Sequence, residues 1–214
     1  MSELKEYDNK LIFFIIFNII VSFYFNNPNT FTNNYGIISI ILTTSFFYLP
    51  IYLVKNIFPR EWKFRILYPQ NESHRFAYGV FSRLKFGKLK YDKKLIDLEL
   101  ILKKYDMPKT KLKEDDLWYE IYEKHKDKNK IHDQNKQFLM CRDYTIIILI
   151  ITITFIILYL TISILGSFFG FKYFILSMII LGIMEFFIFY FLARHNNKLL
   201  ALYVLQEETN DLKK

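Results

Sequence analysis

Tyr144–Leu165 reads YTIIILIITITFIILYLTISIL, 22 residues without one Asp, Glu, Lys, Arg or His. As a helix rising 1.5 Å per residue it spans about 33 Å, enough for the roughly 30 Å hydrocarbon core of a bilayer. A soluble core helix seldom carries so long a run that is apolar on every side, and Ile, Leu and Phe favour insertion. The stretch predicts an integral membrane protein.

Three further runs set the count. Tyr173–Ala193 is uncharged apart from Glu185, Ile37–Val54 is a third apolar run, and Leu11–Phe25 is a shorter fourth that borrows Asn26 and Asn27 at the interface. The expectation is an all-α membrane protein with four transmembrane helices in two hairpins and a helical cytosolic insert. An Asn-rich turn with Pro28 reverses the first hairpin. Pro50 would kink its second helix, with Thr43, Thr44 and Ser45 placed to re-satisfy the freed backbone groups.

The net charge of +8 is unevenly placed. Asn26–Gly36 carries no charge and Gly166–Lys172 a single lysine, so 28 of the 29 Lys/Arg fall elsewhere. The excess of Lys/Arg on cytosolic loops then puts both termini and Lys55–Arg142 inside and the two short links outside. The divisions expected are a cytosolic N-terminus (1–10), hairpin one (11–58), a basic helical cytosolic domain (59–142), hairpin two (143–193) and a cytosolic tail (194–214). The leading MSELKEYDNK holds three acids against two lysines, unlike a cleaved signal peptide.

The insert has 21 Lys/Arg against 13 Asp/Glu. Asn71 or Ser73 can cap a helix that ends at Gly87. Asp92 can cap a second, with Leu95, Leu98, Ile101, Leu102 and Tyr105 at helical spacing before Pro108. A third begins around Asp115 or Asp116 and carries Leu117, Trp118, Ile121 and Tyr122. From His132 no Gly or Pro interrupts the approach to helix three, so the two should be continuous. About 84 residues make a marginal core alone, so the domain should lean on the membrane helices or on a neighbouring subunit.

Catalytic chemistry is poorly supplied. There is no Gly-rich phosphate loop, no G-x-S-x-G elbow and no paired-cysteine spacing. His74, His125, His132 and His195 share no ligand spacing on one helix and read as solvated surface residues. The one cysteine, Cys141, excludes an intramolecular disulfide and reads as a buried inert thiol. Trp62 and Trp118–Tyr119 read as core or interface anchors, and Arg142–Asp143 as a pair, with each other or across subunits. The expectation is a non-enzyme with no cofactor and no metal.

Glu185 lies near mid-membrane, where an ionisable side chain is costly and usually faces a bundle interior or water-filled cavity. Ser177 and Gly182 flank it on one broad face. It fits a pore ring, a proton relay or a gate, or a protonated Glu bonded to a neighbouring helix. Thr145, Thr152, Tyr159 and Ser163 follow at spacings of seven, seven and four and form a polar seam on helix three, as helix glue or pore wall.

The ligand candidate is Arg75–Lys94, where Arg75, Arg83, Lys85, Lys88, Lys90, Lys93 and Lys94 interleave with Phe76, Tyr78, Phe81, Phe86 and Tyr91. Cations beside aromatics suit a nucleotide or oligonucleotide, or anionic lipid headgroups. A solvated positive-inside surface over a small aromatic core is the plain alternative.

In this layout, with its basic aromatic insert (Arg75–Tyr91, RFAYGVFSRLKFGKLKY) and charged step into the third helix (Met140–Tyr144, MCRDY), the chain resembles the small four-helix membrane effectors of prokaryotic anti-phage defence systems. The resemblance covers most of the chain and carries no residue roles. It implies a homo-oligomeric channel or pore-forming effector of the inner membrane, such as a tetramer, gated by a nucleotide signal. Other readings are an anchor or scaffold for a cytosolic partner protein, and a small proton-coupled transporter.

Overall fold

A computed structural model describes Phe13, Ile16, Phe17, Val54 and residues 57–70, 77–165 and 169–214. Apart from Phe13, Ile16, Phe17 and Val54, the expected first hairpin with its turn and Pro50 kink lies outside the described residues. So do Asn71, Ser73 and Arg75.

Among the described residues the chain is all-helical, with no strand. From Arg60 onward the described residues form six helices: α1 (Arg60–Leu67), α2 (Val80–Lys85), α3 (Leu98–Tyr105), α4 (Lys111–His125), α5 (Asn129–Leu165) and α6 (Phe169–Leu212). Two stretches, Asn129–Ile164 and Ile175–Leu212, are long and apolar enough to cross a membrane. Only 33% and 17% of their most apolar windows are buried, whereas the core helix of a soluble protein would be mostly buried. Ile157, Ile164, Met184 and Phe191 are all more than half exposed.

At 37 and 44 residues, α5 and α6 are about 55 and 66 Å long, roughly twice the hydrocarbon thickness. The expected continuity from His132 into helix three is observed, and α5 starts at Asn129. The stretch after helix four is the same helix, running without a break to Leu212.

Three of the four shorter helices, α2, α3 and α4, begin where a side chain provides an acceptor. Asp97, not Asp92, caps α3, its carboxylate accepting from Leu100 N–H at 3.0 Å. Asp92 is spent on a turn, accepting from Lys94 N–H with its side chain at 2.8 Å and from Ile96 N–H with its carbonyl at 3.0 Å. Helix α4 begins at Lys111, ahead of Asp115, because Thr110 accepts from Lys113 N–H at 3.3 Å. Helix α2 is capped from outside: Glu114 on α4 accepts from both the backbone N–H and the hydroxyl of Ser82. Phe86 and Gly87 end α2, and Gly87 takes the left-handed φ of +68° that a β-carbon would strain.

The chain divides into two compact units, to both of which α5 and α6 contribute. One comprises residues 1–58 and 143–189, the other residues 59–142 and 190–214. In the first, α5 and α6 pair antiparallel, with Tyr144 against Phe189 at a ring separation of 5.0 Å and Thr152 against Gly182. A β-carbon on Gly182 would overlap Thr152 Oγ1, so glycine is what permits the approach.

The second unit is built around the last part of α6. Ala201, Val204, Leu205, Glu208 and Thr209 recur at i, i+3, i+4, i+7 and i+8, and each is at most 1% exposed. Against this unit's core lie Phe81, Ile101, Ile121 and Ile131, also at most 1% exposed, and Trp118 donates its indole N–H to Ala201 O at 3.4 Å. The insert thus shares its core with the chain's C-terminal segment, which supplies area that 84 residues lack.

Candidate functional site

The membrane seam divides the residues chosen from the sequence. On α5, Thr145, Ile148, Thr152, Phe155 and Tyr159 follow a 3–4 repeat; the first four are buried and Tyr159 is half-buried. On α6, Ile175, Met178, Gly182, Glu185 and Phe189 follow the same repeat. Glu185 therefore lies on the stripe that faces α5, one turn from Gly182, and is half-buried. Ser177 sits one position off the stripe and is half-buried, and Ser163 is exposed. The seam ends at Tyr159.

Thr152 Oγ1 is buried without a hydrogen-bond partner. Thr154 and Thr161 are exposed and bond back to the carbonyls of Ile150 and Ile157, both at 2.9 Å. Those two hydroxyls serve their own helix.

The basic stretch also divides. Arg83 is half-buried; burial pulls its pKa down, while the charges of Tyr68 and Glu114 favour the guanidinium form. Lys85, Lys88 and Lys90 are exposed, and Tyr91 is half-buried. The turn at Gly87 thus separates an inward arginine from outward lysines. Cys141 is buried and receives a hydrogen bond from Asn196 Nδ2 at 3.4 Å. Trp118 is a core residue, whereas Trp62 is 56% exposed.

The densest polar cluster was missed by the sequence reading. Glu208 is fully buried, and its Oε1 accepts from Lys104 Nζ and Tyr105 OH, both at 2.9 Å. Its Oε2 accepts from Lys124 Nζ and His125 Nε2, both at 2.7 Å. An ionised carboxylate only accepts, so His125 carries its proton on Nε2. Burial alone would push the Glu208 carboxyl up. Hydrogen bonds from Lys124, Lys104, His125 and Tyr105 outweigh it and hold the pKa at about 2.

His125 is 1% exposed, which corrects its reading as a surface histidine. Nearby, Thr209 accepts from Asp97 N–H at 3.1 Å, and Lys128 binds Glu207 at 2.9 Å and Asp211 at 3.4 Å. The available signal was that Glu208 and Thr209 continue the apolar period of Ala201, Val204 and Leu205, which an acidic tail has no reason to do.

In the same unit Phe64, Asp115, Trp118, Tyr122, Phe138 and Asn197 are among the residues lining a cleft of about 50 Å³. That is room for a few waters and too little for a nucleotide. Among the described residues no group of His, Cys, Asp and Glu could hold a metal ion. No family model, curated protein or solved structure matches this chain.

Proposed function

We propose that the protein is a non-enzymatic, homo-oligomeric membrane channel or pore-forming effector with four transmembrane helices, gated through the helical module of residues 59–142. The observation that carries this reading is Glu185, an ionisable residue half-buried on the α5-facing stripe and the one charge in the apolar run Tyr173–Ala193 of α6. Such a residue is expensive in a bilayer, and a bundle that needed only packing would place Leu there. A second fact supports the gating. The helix that carries Glu185 also carries Glu208, so a ligand that moves α3 or α4 pulls on the helix holding the ionisable group.

In this reading the membrane is a prokaryotic inner membrane, and both termini and the module are cytosolic, as the lysine and arginine distribution suggests. A nucleotide or oligonucleotide signal in anti-phage immunity is the stimulus suggested by the architecture the chain resembles. The conducting path lies between subunits, because a single four-helix subunit packs its own centre.

Planar-bilayer recordings on the purified oligomer test the proposal. Wild-type protein should conduct, and Glu185→Gln should change its unit conductance or open probability while leaving the particle mass unaltered. An electrically silent oligomer in the presence of candidate nucleotides would defeat the channel reading and leave an anchor for a cytosolic partner. A monomer by native mass spectrometry would defeat the oligomeric path.

A further inference from the structure

Residues 85–95 (KFGKLKYDKKL) form an exposed strip on the module. Lys85, Lys88, Lys90, Lys93 and Lys94 are all exposed, and among the described residues no ion pair engages any of their side chains. The strip's one acid, Asp92, has its carboxylate on Lys94 N–H. Two large apolar side chains stand among these cations: Phe86 is 71% exposed and Leu95 48%.

The presentation is fixed. Phe86 N–H bonds Ser82 O at 2.9 Å, Gly87 N–H bonds Leu84 O at 3.2 Å and Leu89 N–H bonds Arg83 O at 3.0 Å. Leu89, 7% exposed, anchors the far side of the turn in the core. Phe86 therefore stands on a held turn and not on a swinging loop.

We infer that this strip is a docking surface for anionic phospholipid headgroups, with Phe86 and Leu95 entering the boundary between headgroups and acyl chains. The inference rests on the reading of the chain as membrane-embedded.

Three observations favour lipid over a nucleotide on this strip. Its cations are all lysines, point charges suited to loosely arranged headgroups, without the planar fork that grips one phosphate or base edge. One of its two exposed apolar groups is Leu95, which has no π face for a base to stack on. The cleft described above is also lined by residues outside the strip and is too small for a base.

The test uses full-length protein in lipid nanodiscs. Trp62→Phe removes the exposed tryptophan and leaves buried Trp118 as a constant background. Phe86→Trp is then added, and the emission beyond that of the Trp62→Phe protein reports position 86. In nanodiscs containing phosphatidylglycerol, this emission should shift to the blue. Brominated phosphatidylglycerol should quench it about twofold or more over its level in purely phosphatidylcholine discs. Replacing Lys85, Lys88, Lys90, Lys93 and Lys94 together with Gln should abolish the difference, as should salt at about 0.5 M.

Equal emission in anionic and zwitterionic discs would overturn the docking surface while leaving the membrane reading intact. Failure of the protein to enter nanodiscs at all would overturn both. A single-stranded oligonucleotide that quenches position 86 in phosphatidylcholine discs, with no effect of brominated lipid, would give the strip to nucleic acid and also overturn the proposal.

Discussion

Two groups of lysines on one module have opposite fates. Lys104, Lys124 and Lys128 converge on Glu207, Glu208 and Asp211 of α6, while among the described residues no ion pair engages the side chains of Lys85, Lys88, Lys90, Lys93 and Lys94. The insert's own acids are too few to neutralise it, and the tail's acids compensate only one side. Charge in the clamp maintains the fold, because a fully buried carboxylate there needs every donor it has. Charge on the strip costs the fold almost nothing and stays available to a partner. The same residue type thus has two roles, assigned by whether α6 reaches it.

The comparison breaks most readily at Glu208. Glu208→Ala should destabilise the docking of α6 by about 3 kcal/mol, at the lower end for a broken buried pair because Lys104 and Lys124 can turn to solvent. The readout is the emission of Trp118, whose indole N–H bonds α6 at Ala201. In detergent-solubilised Trp62→Phe protein, the midpoint of its thermal transition should fall by several degrees.

The pH dependence has a definite sign. The folded-state pKa of about 2 lies below the ordinary 4.5, so the contribution of Glu208 is complete above pH 4.5 and is lost as pH falls through about 2. The whole of it is roughly 3 kcal/mol. Glu208→Ala protein should lack this acid-side loss. Wild-type docking that fails near pH 5 would show that Glu208 is not the group holding α6.

Legibility followed the length scale of the signal. The 22 uncharged residues of Tyr144–Leu165 and the absence of Gly or Pro before them made α5 readable, including its continuity with the insert. The starts of α3 and α4 were misplaced, since Asp92, Asp97, Thr110 and Asp115 are all competent caps and only tertiary packing selects among them. The Glu208 clamp was missed because its donors lie 83 to 104 residues away in sequence, on two other helices. The seam of Thr152, Gly182 and Glu185 was half legible. Spacing put each set on one face, but the direct contact of Gly182 with Thr152 within one chain shows how those faces meet.

That contact sharpens the comparison at the other end of the same helix, where α6 is held by shape instead of charge. Gly182→Ala places a methyl group on Thr152 Oγ1 and should destabilise the helix pair by about 1–2 kcal/mol, as overpacked cores do. Thr152→Ala in the same protein should recover part of the loss by removing the obstructing oxygen. Thermal aggregation in detergent reads both variants. Salt should leave the seam effect unchanged and weaken the clamp, whose lysines are part-exposed. A Gly182→Ala protein as stable as wild type would show that the helices can separate without cost, and the seam would then not be what positions Glu185.

The smallest expected effect is the most discriminating. Replacing Lys85, Lys88, Lys90, Lys93 and Lys94 together with Gln should change the stability read by Trp118 by no more than about 0.5 kcal/mol, as for surface changes with no partner lost. Five charges are removed, yet among the described residues no ion pair is broken and no buried group is left without its donor. Relief of like-charge repulsion among neighbours one to three residues apart would, if anything, raise the midpoint slightly. The same measurement that registers one carboxylate in the clamp should therefore be almost blind to five ammonium groups on the strip. A loss of more than about 1 kcal/mol would mean that these lysines hold the fold through contacts like those of Lys104 and Lys124. The distinction between a charged clamp and a charged surface left for a partner would then collapse.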